Sequence, residues 1–446
     1  MIVFLCKIIL LDGAKIRINS ANPRLVREEK HYIRGSIYDS TGKTLAYTEI
    51  DSDGTRTRVY PYGEVFAHVT GYSRTTKTLM ELELNEDLLS SNRMQDQIKY
   101  LMGDQEIQGN SAVLTIDGDL QQRAFDLMNG HRGAVIISEP GTGKILALVS
   151  TPSYDPNTLS ETWDDLIERD DSPLYSRAMQ GQYPPGSTFK IITSLAAYKT
   201  GSLRDFTYTC EGTTPLGDVV LPCYGQTAHG TENIYDAFAN SCNTYFANLG
   251  LQLGAFSIRN AAEELGLNHK IPFALPQSMS RVVIDEQDST QMLGETAIGQ
   301  GQSAITPFSM NMITSAIANE GHLYAPYLLD KIIDSDGETV RKNLPSLYDS
   351  EMITEDEAAF LEDLMEGVVS RGTAYSLSSL PCQTFGKTGT AQVADGDTVE
   401  PHSWFTGYTK VDGQTDIAIT VLVENASESY PALPVVYDLL SYYYYR

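Results

Sequence analysis

Apolar positions fall into three successive patterns along the 446-residue chain. Up to about Asn110 the chain is polar, with short strand-like runs at Ser36–Tyr38, Leu45–Glu49 and Arg56–Tyr60 separated by turn residues. Ala112–Ile116 then reads as a strand entering a second domain, Asp119–Met128 as a helix, and Gly133–Ser138, turn Glu139–Gly143 and Lys144–Val149 as a hairpin. A long central part is helical in period. Phe189–Tyr198 is apolar nearly all round, as a buried helix is. Ile234–Leu253 and Phe256–Leu265 read as helices, and Pro307–Asn319 and Glu355–Ser370 as amphipathic ones. Strand patterns return at Gln383–Val393, Ser403–Thr409 and Asp416–Val423, before a C-terminal helix over Val435–Tyr445 whose tyrosines suggest a half-buried face. Tyr154–Asp171 and Asp205–Gly230 read as irregular. A hairpin, a block of helices and three further strands describe an α+β domain, with an antiparallel sheet closed by both ends of the domain and a helical half inserted between them.

Composition narrows the function only slightly. The length suits two or three domains, divided here at residues 1–110 and 111–446. A net charge of −26 argues against a nucleic-acid surface, which needs a basic stripe. The seven histidines show no metal-ligand spacing, five cysteines are too few for a disulfide framework, and Gly141-Thr-Gly143 is a hairpin turn rather than a phosphate loop, so neither a metal nor a cofactor is expected. A zinc site from Cys210, Cys223 and His229 lacks a fourth ligand. His31, Arg34 and Arg58 read as surface charge, and Glu168 as a solvated loop acid.

The chemistry lies in three short motifs. Pro184-Pro-Gly186 makes a stiff turn, and Ser187 and Lys190 follow it on one face of the buried helix. Burial favours the neutral form of a lysine, which can then take a proton from a serine whose developing charge the helix N-terminus favours. Ser241-Cys-Asn243 follows a helical segment from Glu232 to Asn240, and Lys387-Thr-Gly-Thr390 lies in a strand. Each has decoys. Ser40-Thr-Gly-Lys43 reads as a hairpin turn, Ser20-Ala-Asn22 and Ser90-Ser-Asn92 repeat the second pattern, and Lys199-Thr-Gly201 is explained by the end of the Ser187 helix.

As a set, the motifs resemble those of penicillin-binding proteins and serine β-lactamases. The words around them resemble class B penicillin-binding proteins, the monofunctional peptidoglycan transpeptidases: Arg34-Gly-Ser-Ile-Tyr-Asp39, His68-Val-Thr-Gly-Tyr72, Leu114-Thr-Ile-Asp117, Pro152-Ser-Tyr-Asp-Pro-Asn157 and Gly299-Gln-Gly301. The resemblance implies a small, mainly-β N-terminal pedestal and a transpeptidase domain with a five-stranded antiparallel sheet, Lys387 on its edge strand. It implies that Ser187 attacks a D-Ala–D-Ala carbonyl of a peptidoglycan stem peptide and that β-lactams acylate the same serine. Lys190 is then the base, and Ser241 passes protons between the lysines and the leaving amine. Asn243 holds a substrate amide. Lys387, Thr388 and Thr390 hold the terminal carboxylate, and Gly389 lets an extended substrate lie along the strand. The N–H groups of Ser187 and Thr390 form the oxyanion hole. Implied partners are lipid-linked precursor and a membrane glycosyltransferase. The implied place is the cell membrane with the catalytic domain outside the cytoplasm, and Met1–Leu11 reads as the distal end of an anchor whose first half is missing. In that setting a local disulfide between Cys210 and Cys223 stands beside unpaired thiols as a reading, and Cys242 reads as a small buried apolar residue. A hydrolase sharing the acylation step, either a D,D-carboxypeptidase or a β-lactamase, is one competing reading, although no convincing water-activating base is present. A non-catalytic wall-synthesis scaffold is another, which complete motifs argue against.

Overall fold

The structure, a computed structural model, describes residues 22–74, 76–103, 106–203, 206–395, 398–426 and 431–446. Met1–Leu11, with its expected anchor, and Ser20 lie outside the described residues. The element that orders the larger part is a five-stranded antiparallel sheet made of β1 (Gly133–Glu139), β2 (Lys144–Thr151), β3 (Gln383–Asp395), β4 (Thr398–Val411) and β5 (Gln414–Val423). Its spatial order is β3-β4-β5-β1-β2, so the two ends of the domain meet where β5 pairs with β1. This is the expected closure, and β3 is an edge. Between β2 and β3 the chain builds the helical half: α1 (Lys190–Lys199), α2 (Ile234–Ala239), α3 (Asn243–Glu264), α4 (Pro307–Ala318) and α5 (Glu355–Ser370). The final helix, α6 (Ala432–Tyr445), lies on the sheet beside the helix Gly118–Met128.

Side-chain alternation along β4 assigns the two faces. Thr406 points to α4, where its hydroxyl meets Thr314 at 2.6 Å, and it also meets Thr420 on β5 at 2.8 Å. Ser403 and Thr409 point the other way, to the backbone N–H of Ala432 and the hydroxyl of Tyr444 at the two ends of α6. The half-buried tyrosine end is therefore anchored through polar tips, as expected. Helix α4 departs from expectation. All twelve of its residues are buried, because it runs between the sheet and the helical half. The polar residues that suggested a wet face are paired inside: Asn311 with Ser138 (2.7 Å) and Thr420 (3.3 Å), and Ser315 with Ser138 (3.1 Å).

Three further segments differ from the sequence reading. Leu159–Glu168 is a helix seated on Leu159 and Leu166, inside a stretch read as loop. Residues 208–232 are ordered by two short strand pairs. Thr213–Leu216 turns at Gly217 (φ +63°) into Val219–Pro222, and Tyr208–Cys210 pairs with Gly230–Glu232. Pro215 and Pro222 disguised the first pair, since proline in a strand is tolerated only where no ladder donor is needed. The strand expected to enter the second domain is found as Ser111–Leu114. It sits within a six-stranded sheet in the order Thr339–Lys342, Leu329–Ile333, Ser111–Leu114, Ile37–Tyr38, Thr44–Ile50, Arg56–Val59. This sheet draws strands from both sides of Asn110.

Arg34 and Arg58 are not surface charges. Their side chains are 8% and 6% exposed and converge on the fully buried carboxylate of Glu81, at 2.6 and 2.7 Å. Tyr60 Oη also donates to Glu81 (3.2 Å) and Arg34 Nη1 to Asn85 (2.7 Å). The counter-charge comes from another element, so the local sequence does not announce it. Burial alone would raise the Glu81 carboxyl, but the charges and hydrogen bonds of Arg34 and Arg58 override it and hold the group below its ordinary range. Its contribution to stability is therefore fully present above the ordinary carboxylate pKa, and it is lost as pH falls through the depressed value. Glu81→Gln, which strands two buried guanidinium groups, is expected to destabilise the fold by about 3–5 kcal/mol. Denaturant unfolding checks this, and a loss within the surface-substitution range of about 0.5 kcal/mol would refute the buried-triad account.

Candidate functional site

Ser187 stands on a single 3-10 turn, Gly186–Phe189, that runs directly into α1. Residues three apart eclipse in a 3-10 turn, so Ser187 and Lys190 still share a face although only Lys190 belongs to the α-helix. Three glycines allow the close approaches that fix this turn. Gly186 has φ +53°, and a Cβ there would lie 2.6 Å from the Thr390 carbonyl oxygen on β3. Gly186 N–H donates to Gly299 O at 2.9 Å, and a Cβ on Gly299 (φ +77°) would fall 1.9 Å from Gly186 O. A Cβ on Gly389 would meet Thr188 Cγ2 at 3.0 Å, Trp404 Cβ at 3.1 Å and Pro185 O at 3.2 Å. Gly389 is thus required first by the packing of β3 on the turn. Trp404 Nε1 donates to Pro184 O (3.1 Å) and locks the turn to β4.

The second motif is a hinge between two helices. Ser241 has φ +57°, in the position after α2 that glycine usually takes. The bonds Ser241 N–H to Phe238 O (3.2 Å) and Cys242 N–H to Ala237 O (2.8 Å) close the end of α2. Cys242 then caps α3, its sulfur accepting from Tyr245 N–H at 3.5 Å. The hinge turns Ser241 O, Ser241 Oγ and Asn243 Oδ1 toward Lys190 Nζ, at 2.7, 3.3 and 2.8 Å. From the opposite side Lys387 Nζ donates to Ser241 Oγ at 2.9 Å and to Thr388 O at 3.0 Å. The Ser241 hydroxyl therefore bridges two buried amines.

Each amine also faces a ring: Lys190 Nζ lies 5.4 Å from the Phe246 centroid and Lys387 Nζ 5.5 Å from that of Phe238. Burial lowers the Lys190 amine to about 7. Burial and the neighbouring Lys190 charge push Lys387 well below the ordinary lysine range. An amine poised near neutrality can accept a proton from a hydroxyl and return it.

Ser187, Ser241, Asn243, Thr388, Gly389 and Thr390 line one cleft of ≈ 1010 Å³, and Lys190 and Lys387 lie buried behind its wall. All eight residues expected from the sequence are thus gathered in one place. The half-buried Ser187 hydroxyl makes no hydrogen bond among the described residues; Lys190 is turned instead to Ser241 and Asn243. Asn243 is engaged at both ends, since its Nδ2 donates to Pro222 O (3.2 Å). The decoys fall elsewhere. Ser40–Lys43 is the turn between two pedestal strands, Ser90 and Asn92 bond within the pedestal, and Lys199 pairs with Glu264 and Glu357 at the end of α1. One site residue escaped the sequence reading. Thr373, between α5 and β3, places its hydroxyl 2.6 Å from that of Thr388. A lone threonine after Arg371-Gly372 gives no signal until β3 is folded beside it. The expected disulfide is not formed: Cys210 and Cys223 are free thiols with sulfurs 3.7 Å apart.

Residues 133–441 match the family model described as the penicillin binding protein transpeptidase domain, and residues 34–112 match the penicillin binding protein A dimerisation domain. The peptidoglycan D,D-transpeptidase PbpA of Mycolicibacterium smegmatis is 33% identical over 94% of this chain and 88% of its own length. Among solved structures, penicillin-binding protein A from M. tuberculosis as a ceftriaxone acyl-enzyme superposes with a TM-score of 0.84 at 33% identity, over 94% of this chain and 99% of that one. The penicillin G acyl-enzyme of the same protein gives 0.82 at 32% identity, over 93% and 100%.

The glycine wedge makes a graded prediction. Gly389→Ala, whose Cβ meets neighbours that can yield by tenths of an ångström, is expected to cost about 1–3 kcal/mol. Gly299→Ala, at positive φ and against a backbone oxygen, is expected to cost more. Thermal unfolding of both variants measures the order, and equal stabilities would refute it.

Proposed function

The chain belongs to the penicillin-binding protein transpeptidase family, and on that premise we propose that Ser187 is the nucleophile of a peptidoglycan D,D-transpeptidase. Ser187 Oγ attacks the carbonyl between the two D-alanines of a stem peptide, and its proton passes to the Lys190 amine. The terminal D-alanine leaves as an amine after receiving a proton through Ser241. The acyl-enzyme then yields its acyl group to an amine of a second stem peptide, which closes the cross-link and restores the serine. A β-lactam takes the place of the D-Ala–D-Ala unit, its ring opening as the serine ester forms. The observation that carries this reading is the convergence of two buried, pKa-lowered lysines on one hydroxyl beside the Ser187 cleft.

Lys387 binds the substrate carboxylate. Its burial disfavours a free cation, and a substrate carboxylate supplies the charge that stabilises its protonated form. Thr388, held by Thr373, and Thr390 offer hydroxyls to that carboxylate. The N–H groups of Ser187 and Thr390 stabilise the tetrahedral oxyanion. The edge position of β3 suits a substrate lying as an added strand. The division into a pedestal up to residue 110 and a transpeptidase domain from 111 is supported by the two family matches, with the six-stranded sheet joining the parts.

We further propose that the enzyme works at the cell membrane on its extracytoplasmic face, on lipid-linked precursor polymerised by a membrane glycosyltransferase. Among the described residues no helix is long and apolar enough to cross a membrane. Fractionation of cells together with protease accessibility of the catalytic domain tests the location, and recovery in the soluble cytoplasm would overturn it. Cross-linking in cells tests the glycosyltransferase.

Labelled penicillin is expected to form a long-lived adduct on Ser187, located by mass spectrometry of the digested protein. Rapid turnover would favour a β-lactamase, and absence of an adduct on folded protein a scaffold. Lys190→Arg, always charged and no base, should abolish acylation, while Lys387→Arg, which keeps a cation, should slow it but leave it measurable. Equal losses would put Lys387 in the same proton path as Lys190.

The pH profile has a fixed sign. Neutral Lys190 is the active form, so on the acid side the second-order acylation rate should fall as pH drops below about 7. A rate that rises toward acid pH would remove Lys190 as the base.

A further inference from the structure

We propose that Cys210, Cys223, His229 and Cys242 bind a zinc ion, forming a closed structural site that staples the 208–232 segment to the Ser241 hinge. These side chains come from four separate places: the end of the strand Tyr208–Cys210, the end of the strand Val219–Pro222, the residue before the strand Gly230–Glu232, and the cap of α3. Their four ligand atoms all lie within 4.8 Å of one another. Cys242, between the two motif residues Ser241 and Asn243, is the fourth ligand that the sequence did not reveal.

The distances distinguish a metal site from the two simpler readings. Zinc holds sulfur at about 2.3 Å and imidazole nitrogen at about 2.0–2.1 Å, so ligand atoms stand roughly 3.5–3.8 Å apart along the edges of a tetrahedron. The Cys210–Cys223 and Cys223–Cys242 sulfurs are 3.7 and 3.8 Å apart, and Cys210 Sγ is 3.4 Å from His229 Nδ1. A disulfide needs about 2.05 Å. Packing of inert thiols does not call for an imidazole nitrogen aimed into the group. The three cysteines are buried and the histidine stands half-buried at the rim, which leaves an entry path for an ion. Backbone N–H groups donate to two of the sulfurs, Gly212 to Cys210 at 3.4 Å and Tyr245 to Cys242 at 3.5 Å, as outer-shell donors do to metal-bound thiolates. Three sulfurs and one nitrogen in this arrangement select zinc over the harder divalent ions. On binding, each thiol releases its proton to solvent as a Zn–S bond forms, and the imidazole binds neutral through Nδ1.

With four protein ligands no position remains for water or substrate, so the ion does no chemistry at Ser187. It positions. Cys242 is fixed to the lobe carrying Cys223, next to Pro222, whose carbonyl accepts from Asn243. Asn243 and Ser241 are the groups that Lys190 touches. Loss of the ion frees both the hinge and a wall of the cleft.

The metal is tested on the full chain purified with a non-thiol reductant and without chelator. Elemental analysis should find about one zinc per chain. Titration of stripped protein with Co²⁺ should give the thiolate-to-cobalt charge-transfer band and the visible bands of a tetrahedral site. His229→Ala and Cys210→Ser should lose or weaken that spectrum while circular dichroism stays native. Stripping should slow penicillin acylation by about tenfold or more, and added Zn²⁺ should restore it. A folded, reduced chain that holds no zinc and gives no cobalt spectrum would overturn the site, as would a Cys210–Cys223 disulfide in the native protein, or variants that bind cobalt as the parent does. Acylation indifferent to zinc would overturn the positioning role. Failure of the zinc-loaded protein to take penicillin at all would count against the transpeptidase reading instead, because metal content and spectrum are read independently of it.

Discussion

Two buried amines held on one hydroxyl are the constraint on which the site depends. Removing an ammonium from water is costly unless it is paired or gives up its proton. Among the described residues neither Lys190 nor Lys387 bonds a carboxylate; their partners are Ser241, Asn243 and the backbone. With neutral acceptors only, burial moves both toward the neutral form, and each proton placed on one disfavours a proton on the other. The pair is therefore an electrostatic device rather than a salt-bridged scaffold, and Ser241 Oγ is the atom that joins its halves. In the pedestal the opposite arrangement holds, since Glu81 neutralises two buried arginines.

Holding this device against Ser187 requires parts of the chain from residues 184 to 404 to meet. Backbone packing at Gly186, Gly299 and Gly389 accomplishes it. The 3-10 turn is pressed between the edge strand β3 and the loop at Gly299, and Trp404 ties it to β4. The sheet is consequently part of the catalytic geometry. β3 carries Lys387 and simultaneously forms the surface on which the Ser187 turn rests, so a change that shifts the strand moves both.

What the sequence revealed follows from the range of the interactions. The strands and helices of the catalytic half are encoded by local periodicity, and the three motifs by residue types whose chemistry is specific, so both could be read before folding. Arg34 and Arg58 could not, because their burial is decided by Glu81 on another element. Thr373 could not, because one hydroxyl acquires meaning only beside Thr388. Helix α4 was read as amphipathic since Asn311, Thr314 and Ser315 are polar, whereas their partners lie on the sheet beneath. The strand pair at 213–222 is hidden by prolines that are harmless where no ladder hydrogen bond is needed. The zinc reading stopped at three ligands because Cys242 belongs, in sequence, to the serine motif.

That last position joins the two constraints. A non-glycine residue in the left-handed conformation costs roughly 1–2 kcal/mol, so Ser241 holds φ +57° only because its surroundings impose it. On its N-terminal side the closing bonds of α2 fix the chain, and on its own carbonyl Lys190 pulls at 2.7 Å. On its C-terminal side the restraint falls to Cys242. A sulfur accepting one backbone N–H at 3.5 Å is a weak anchor for a strained residue, whereas a thiolate bound to a metal shared with three other segments is a strong one. The same hinge must present a carbonyl to one lysine and a hydroxyl to two, and a drift of about 1 Å in such a group costs catalysis heavily. Anchoring the residue next to Ser241, rather than Ser241 itself, leaves its Oγ to the two lysines while its backbone is held still.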